Sequence, residues 1–302
     1  MSLFPARPEC WIETPLPPGP PDLLPGLLAH QGHLLIIGET EVGKTLVALE
    51  IAHSVLTGEK LWGKVEPTAI VPFVTYIMGE HHQSLVHSLW KKMGLVVPPR
   101  SLNIIPPSER RVLVSHGNLI QSNRDCYRTW CQGSGVVIFD PLNAFVSGQG
   151  VEDDSVPMRA CINAMGDIAF GNGASLVILG HMGKPSYDPK EGKFKHRQTY
   201  AARGSSAIED AVTGLYYMEA DAHSHGYRLT RRKFKGDAPN FYRLHRNPET
   251  LCHTLTAGGM TQQQISSVKR EAGRLGGLAK QPEAQGAPCV LPGASQLPNF
   301  MG

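Results

Sequence analysis

The chain has 302 residues, of which 41% are hydrophobic, so it is long enough and apolar enough to fold around a sizeable core. Its net charge is only +3, so any argument for nucleic-acid binding must rest on local clusters and not on overall charge. The six cysteines include no C-x-x-C pair, which indicates neither a zinc knuckle nor a disulfide framework and favours the cytoplasm. No apolar run reaches the length of about 18 residues that a membrane-spanning helix needs, so we expect no membrane association.

The first 22 residues form a proline-rich arm, which we expect to be extended and not to form a domain of its own. The adjoining stretch, Leu23–Leu28, contains four leucines. This apolar end can pack on the core beside the first strand, or it can dock on a neighbouring subunit. The sequence favours neither interpretation over the other.

Residues 33–56 have the pattern of a strand, a glycine-containing loop and a helix. The apolar run at 33–37 predicts a buried strand, and residues 46–56 carry Val47, Ile51 and Val55 at helical spacing. The loop fits the phosphate-binding pattern G-x-x-x-x-G-K-[ST], with the residues Gly38, Glu39, Thr40, Glu41, Val42, Gly43, Lys44 and Thr45. In this pattern the backbone N–H groups face the phosphates, the lysine reaches the β- and γ-phosphates, and the hydroxyl ligates Mg²⁺. The sequence therefore predicts nucleotide binding.

Strands and helices alternate through the middle of the chain. We predict strands at 71–78, 102–105, 136–140 and 176–179, and helices at 84–93, 117–132 and 155–170. This alternation indicates an α/β fold with a parallel sheet that is covered on both faces. After residue 203, short turns join predicted strands at 213–219, 227–234 and 241–245, so we expect antiparallel hairpins that extend the sheet. From about residue 259 the chain is polar. It is basic at first, and residues 281–302 have the composition of a disordered segment.

Three polar side chains follow the carboxyl ends of predicted strands, where open parallel sheets bind their ligands. Asp140 is a candidate Mg²⁺ ligand, although an aspartate before a proline can also simply open a turn. Glu80 can activate the attacking water or cap the next helix. His181 can sense the γ-phosphate, or it can be a structural histidine at the end of its strand.

Two basic segments are candidates for contacts beyond the nucleotide. The polar loop at 184–203 suits the phosphate backbone of single-stranded DNA, although it can also be a solvated surface loop. Its candidate residues are Lys184, Lys193, Lys195, Arg197 and Arg203. In the second segment, Lys233 or Lys235 could reach the nucleotide of an adjacent subunit, as an arginine finger does. The residues alone favour the alternative, an edge strand that its charges protect from aggregation.

Four stretches in a fixed order form a more specific pattern. They are Gly38–Thr45, Tyr76–Glu80, Val137–Leu142, and Leu179–His181 followed through the basic loop by Ala202–Ser206. In this order they resemble the hexameric RecA-like ATPases of the plasmid RepA helicase type, which are relatives of the DnaB replicative helicases. The last stretch, which contains R-G-S-S, is the most family-specific of the four.

The resemblance implies a RecA-like P-loop NTPase core at residues 23–258, between the arm at 1–22 and the tail at 259–302. It implies that Glu80 is the catalytic glutamate, that Asp140 is the Walker B aspartate that supports Mg²⁺, and that His181 is the γ-phosphate sensor. Lys44 holds the phosphates in the same site. The strand 231–235 resembles the one that presents a basic finger to the adjacent subunit, with Lys233 and Lys235 as the candidates.

The expected function is Mg²⁺-dependent hydrolysis of ATP at the interfaces of a homo-oligomeric ring, most often a hexamer. We expect this hydrolysis to be coupled to single-stranded DNA, as in a replicative helicase of a plasmid, phage or mobile element. One alternative is a non-motor RecA/KaiC-like regulatory or recombination accessory ATPase. Another is a DNA-binding adaptor in which ATP controls assembly with little turnover.

Overall fold

The computed structural model describes residues 21–80, 83–148, 155–181, 186–188, 193–195, 205–221, 226–234 and 238–259. All of them belong to the first of the two units into which the chain divides, Met1–Gln262. The second unit, Gln263–Gly302, lies outside the described residues, as does nearly all of the predicted N-terminal arm.

Five helices and fourteen strands are assigned within the described ranges. The helices are α1 (Lys44–Thr57), α2 (Gln83–Lys92), α3 (Gln121–Trp130), α4 (Ser155–Phe170) and α5 (Ser205–Ala211). The first eight strands are β1 (His33–Gly38), β2 (Val74–Met78), β3 (Leu102–Ile105), β4 (Val114–Ser115), β5 (Asn118–Leu119), β6 (Val136–Asp140), β7 (Val146–Ser147) and β8 (Ser175–His181). The remaining strands are β9 (Ser186–Asp188), β10 (Lys193–Lys195), β11 (Gly214–Asp221), β12 (Gly226–Phe234), β13 (Phe241–Arg246) and β14 (His253–Gly258).

One sheet of nine strands organises the fold, in the order β14-β13-β12-β11-β1-β8-β6-β2-β3. The six strands from β11 to β3 run parallel, and β12, β13 and β14 extend the sheet as antiparallel neighbours. This confirms the predicted α/β fold, a RecA-like core with a mostly parallel sheet and a C-terminal antiparallel extension.

Helices cover both faces of the parallel part of the sheet. Apolar residues of α1 and α2 pack in one buried cluster, and those of α3, α4 and α5 pack in another on the opposite face. Strands β2 and β6 are buried at every position because both of their faces are covered. That is why they read in the sequence as continuous apolar runs, with no alternation of polar residues.

The structure corrects several predicted elements. Strand β14 was not predicted, and β2 begins at Val74 because Pro72 has no backbone N–H for a ladder hydrogen bond. The predicted helix at 117–132 begins only at residue 121, because His116 and Gly117 both have positive φ and turn the chain between β4 and β5. The predicted loop at 184–203 contains an antiparallel pair, β9 and β10.

The leucine-rich stretch at 23–28 packs within its own chain. Its four leucines are at most 2% exposed and belong to the same buried cluster as α1. This agrees with the first interpretation of that stretch and not with docking on a neighbour. None of the helices in the described ranges is long and apolar enough to cross a membrane.

Candidate functional site

The loop between β1 and α1 needs glycine at two positions. Gly43 has a φ of +101°, a left-handed conformation that side chains rarely adopt. At Gly38, a Cβ atom would lie 2.4 Å from the carbonyl oxygen of Met218 on the adjacent strand β11. Backbone conformation at one end and close strand packing at the other therefore explain the two glycines of the phosphate-binding pattern.

Lys44 lies across this loop. Its Nζ donates hydrogen bonds to the carbonyl oxygens of Gly38, at 3.0 Å, and Glu39, at 2.6 Å. Burial lowers the pKa of Lys44 to about 8, although the nearby carboxylates of Asp140, Glu80 and Glu39 act in the opposite direction. The ammonium group is therefore held over the loop, where it has lost part of its hydration and favours an anionic partner.

Asp140, the last residue of β6, accepts two hydrogen bonds on one carboxylate oxygen. Thr45 donates from the first turn of α1, with Oγ1 at 2.8 Å from Oδ2, and Tyr76 donates from β2, with its hydroxyl at 2.6 Å from the same oxygen. Tyr76 is fully buried, and its pKa is raised by that burial and then by the negative charge of Asp140. Tyr76 therefore stays protonated and serves as a donor.

Glu80 and His181 come together at the same edge of the sheet. The Oε2 atom of Glu80 lies 3.6 Å from Nε2 of His181, and both side chains are partly exposed. The backbone before Glu80 is fixed from two sides, because the N–H of Gly79 donates to the carbonyl oxygen of Asp140 and Arg110 Nη1 donates to that of Gly79. Three polar residues at the ends of separate strands are thus neighbours in space.

These side chains line one open cavity of about 510 Å³. Its walls consist of Thr40, Glu41, Gly43, Lys44, Thr45, Leu46, Glu80, Leu85, Leu89, Asp140, Pro141, His181, Arg246 and Leu251. Val42 is 8% exposed and belongs instead to the buried cluster behind the loop. Leu85 is 44% exposed and lines the cavity, while Val86 takes the buried position on α2.

Sequence reasoning missed Tyr76, Arg110, Arg246 and Leu251. Tyr76 looks like an ordinary aromatic residue in a buried strand, and nothing near it in the sequence marks its hydroxyl. Arg246 and Leu251 reach the cavity only because β13 and the turn after it end at the same edge of the sheet as β1. The one signal in the sequence was a basic residue at the end of a predicted strand.

Lys233 lies away from this cavity. Lys233 pairs with Leu215 of β11, whereas Gly38, where the phosphate-binding loop begins, pairs with Met218 of the same strand. Leu215 and Met218 are three residues apart, so Lys233 lies about 10 Å from the loop, measured along the strands. Its Nζ donates to the carbonyl oxygen of Glu209, at 2.5 Å, in α5. Lys233 therefore does not belong to the nucleotide pocket of its own chain.

Other predicted contact residues fall partly or wholly outside the described residues. Lys193 and Lys195 belong to β10, for which the structure describes the strand but not these side chains. The residues that lie outside altogether are Lys184, Arg197, Arg203 and Lys235.

The polar groups that line the cavity suit the binding of a nucleotide together with Mg²⁺. The hydroxyl of Thr45 and the carboxylate of Asp140 are hard oxygen ligands 2.8 Å apart, which is the chemistry that Mg²⁺ prefers. The start of α1 and the ammonium group of Lys44 provide the positive potential that a polyphosphate needs. The cavity therefore combines a place for phosphates with a place for the metal ion.

Comparisons with known proteins agree with this geometry. A family model described as "AAA domain" (AAA_25) matches residues 4–187. No curated protein is detectably similar to the chain in sequence.

Three solved structures are similar to this chain at low sequence identity. One of them, an ATPase domain, has a TM-score of 0.51 and 12% identity, and the match covers 74% of this chain and 84% of that one. A DnaB-like replicative helicase, described with its interactions with primase, has a TM-score of 0.51 and 12% identity, and the match covers 74% of this chain and 59% of the helicase. The flagellar accessory protein FlaH from Methanocaldococcus jannaschii has a TM-score of 0.48 and 14% identity, and the match covers 76% of this chain and 90% of FlaH. At such low identity the first two matches show a shared fold and no more.

Tyr76→Phe tests whether the buried hydroxyl supports the metal ligand. The substitution removes one of the two donors to Asp140 and keeps the ring, and we expect it to raise the Mg²⁺ concentration for half-maximal nucleotide binding about tenfold or more. Titration of Mg²⁺ at fixed ATPγS, a slowly hydrolysed analogue, measures this. Tyr127→Phe is the matched control, because Tyr127 is also buried but bonds to the backbone of Arg111. Equal Mg²⁺ requirements for Tyr76→Phe and the wild type would contradict the assignment.

Proposed function

The chain belongs to the AAA domain family, and we propose that it hydrolyses ATP with Mg²⁺ and couples this hydrolysis to single-stranded DNA, as the motor of a ring-shaped replicative helicase. The observation that carries the proposal is the convergence of Lys44, Thr45, Asp140 and Glu80 on one cavity at the carboxyl edge of a parallel sheet. A loop for phosphates, oxygen ligands for a metal ion and a second carboxylate beside them are the parts that phosphoryl transfer to water needs.

Each residue has a separate role in this proposal. Lys44 and the backbone N–H groups of the loop bind the phosphates, while Thr45 and Asp140 hold Mg²⁺, which neutralises charge on the phosphate oxygens when bound. Glu80 accepts a hydrogen bond from the attacking water and takes its proton. His181, whose ring lies 3.6 Å from Glu80, responds to the γ-phosphate through that contact.

The link to DNA rests on the segment that comes directly after His181 in the chain. The basic loop at 184–203 begins three residues after this candidate sensor in the sequence, so a movement of His181 can be passed along the chain to the loop. Its lysines and arginines suit a phosphate backbone. The fold shared with the DnaB-like helicase supports this proposal only at the level of the fold.

The proposal of a ring is supported by the position of Lys233 in the sheet. Since this residue lies behind the loop edge of its own sheet, it can act on a nucleotide only if that nucleotide belongs to another subunit. We propose that Lys233, with Lys235 beyond it, provides the basic finger in trans, as the resemblance to hexameric ATPases implies.

One observation favours a second candidate function, a non-motor ATPase that regulates another process. Lys233 is already bonded to the carbonyl oxygen of Glu209 within its own chain, so a finger role requires that bond to break. If the bond persists in the assembled protein, the enzyme would hydrolyse ATP slowly and without a response to DNA.

Hydrolysis with and without single-stranded DNA tests the proposed function, with Lys44→Ala as the blank. We expect DNA to stimulate the wild-type rate. Glu80→Gln should still bind ATP but hydrolyse it at least about 100-fold more slowly, because the amide cannot take a proton from water. Glu109→Gln, on an exposed turn outside the cavity, is the control for loss of a carboxylate.

Two results would contradict the proposal in different ways. Normal turnover by Glu80→Gln would remove that residue from its role as the base. Hydrolysis by the wild type that DNA leaves unchanged would favour the regulatory ATPase over the helicase.

Mixing two inactive variants tests the finger in trans. Lys44→Ala has lost its own site but keeps its finger, whereas the double variant Lys233→Ala/Lys235→Ala has lost the finger but keeps its site. If the finger acts across an interface, the mixture should regain hydrolysis, because Lys44→Ala subunits complete the sites of their neighbours. A mixture no more active than the sum of its components would contradict the finger in trans. Arg232→Ala by itself, which removes a positive charge from an exposed position next to Lys233, is the control and should keep its hydrolysis.

A further inference from the structure

The P-loop helix α1 carries a buried carboxylate that the reaction does not use. Glu50 is 7% exposed and lies two turns after Gly43, among residues that are almost all apolar. Its oxygens accept hydrogen bonds from Nε1 of Trp62, at 3.1 Å, from the backbone N–H of His253, and from Nδ1 of His253, at 2.8 Å. Glu50 therefore holds both the backbone and the ring of a single residue 203 positions away.

His253 is the first residue of β14, the edge strand of the sheet. It pairs directly with Arg246, the last residue of β13, so the two residues close the hairpin between these strands. The ring of His253 meets the ring of Tyr227 edge to face at 5.6 Å, and the guanidinium carbon of Arg246 lies 4.7 Å from the centre of the same ring. Glu50, His253, Tyr227 and Arg246 thus form one continuous set of contacts.

This set of contacts leads back to the P-loop. A Cβ atom at Gly43 would lie 3.6 Å from Nη1 of Arg246, and Arg246 lines the candidate nucleotide cavity together with Leu251 of the next turn. The contacts therefore run from the P-loop along α1 to Glu50, across to β14, and through Tyr227 and Arg246 to the P-loop again.

Stability alone does not explain a buried carboxylate and imidazole at this place. An apolar pair of similar size generally stabilises a core equally well, because burying charged groups costs as much solvation as their attraction returns. A pair that holds one residue by its ring and its backbone does something that an apolar pair cannot, since it fixes the register of the strand. The ladder between β13 and β14 has an irregularity between Arg243 and Leu244, so the pairing on the Arg246 side is offset by one residue from the pairing on the Tyr242 side. The contacts of Glu50 with His253 hold the strand in this offset register at its first residue.

The turn after β13 has a second attachment. Asn247 accepts hydrogen bonds from the N–H groups of Glu249 and Thr250. Sγ of Cys252 lies 3.3 Å from the carbonyl oxygen of Met93, the residue directly after α2. With the turn ordered in this way, a shift of His253 would move Arg246 and Leu251 as one body.

We propose that Glu50 and His253 are positioning residues that fasten the β13–β14 hairpin to the P-loop helix, so that Arg246 contacts the nucleotide bound in its own chain. This inference rests on the proposed nucleotide site. It assigns to the C-terminal antiparallel strands a role within their own subunit, separate from the role of Lys233 in trans.

A double-mutant cycle on ATPγS affinity tests the proposal, with thermal unfolding recorded for every variant. Arg246→Ala should raise Kd about tenfold, which is the usual effect of losing one hydrogen bond to a charged group. His253→Leu should raise Kd about fivefold in the wild type but by less than about twofold in Arg246→Ala, because the residue acts through Arg246. His253→Asn, which keeps a donor toward Glu50, should restore most of the affinity. Where His253→Leu does not fold, Glu50→Gln takes its place in the cycle.

The control is a second double-mutant cycle, in which Arg243→Ala is combined with His253→Leu. Arg243 lies on the same strand as Arg246 but is paired with Asp221. There the effects should add, since Arg243 does not line the cavity. Additive effects for His253 and Arg246 would mean that the pair serves stability alone and would overturn the proposal. An unchanged Kd for Arg246→Ala would also overturn it, while leaving the proposed function intact if Lys44→Ala still abolishes binding. Absence of ATPγS binding by the wild type would overturn both.

Discussion

The hydrogen bonds that converge on one oxygen of Asp140 join three elements that are distant in the sequence. Thr45 begins the P-loop helix, Tyr76 lies in β2, and Asp140 ends β6. A buried carboxylate is costly to keep charged unless donors stabilise it, and these two hydroxyls provide them. The arrangement depends on β6 lying between β2 and β8, next to the strand that pairs with β1 and its P-loop. The order of strands and the chemistry of the site therefore require each other.

The P-loop helix is held at two points by hydrogen bonds between side chains of distant elements. At its start Thr45 is bonded to Asp140, and two turns beyond the loop Glu50 is bonded to His253. The first contact links the helix to the parallel core, and the second links it to the antiparallel extension. A close-packed core transmits small displacements, so a displacement of α1 when the phosphates bind would shift both the parallel core and the antiparallel extension.

Much of this site could be predicted from the sequence, because its main residues sit at marked places. Lys44 and Thr45 belong to a local pattern, and Asp140, Glu80 and His181 each come at the end of an apolar strand. Parallel strands bring such ends to one edge, so their proximity could be expected without coordinates. The alternation of apolar strands, such as β1, β6 and β8, with helices likewise predicted a sheet covered on both faces.

The parts of the site that could not be predicted depend on register between distant strands. Tyr76 reaches Asp140 only because Met78 pairs with Asp140, and Arg246 reaches the P-loop only through the pairing of β11, β12 and β13. Strand β14 was missed because it contains one large apolar residue, Leu255, and its exposed positions are Thr254, Thr256 and Gly258, which is a weak signal beside a polar segment. The role of Lys233 could not be decided either, since the sequence shows a basic strand but not at which end of the parallel strands its lysines lie. Strand β12 has neighbours on both sides, so the alternative of a charged edge strand is wrong.

The central claim is that Asp140 and Thr45 form a metal site that serves the nucleotide. The most direct measurement is the affinity for ATPγS with and without Mg²⁺, for the wild type and for Asp140→Asn, which keeps the shape of the side chain and removes its charge. We expect Mg²⁺ to tighten binding to the wild type and to have little effect on Asp140→Asn. The same gain from Mg²⁺ in both proteins would contradict it.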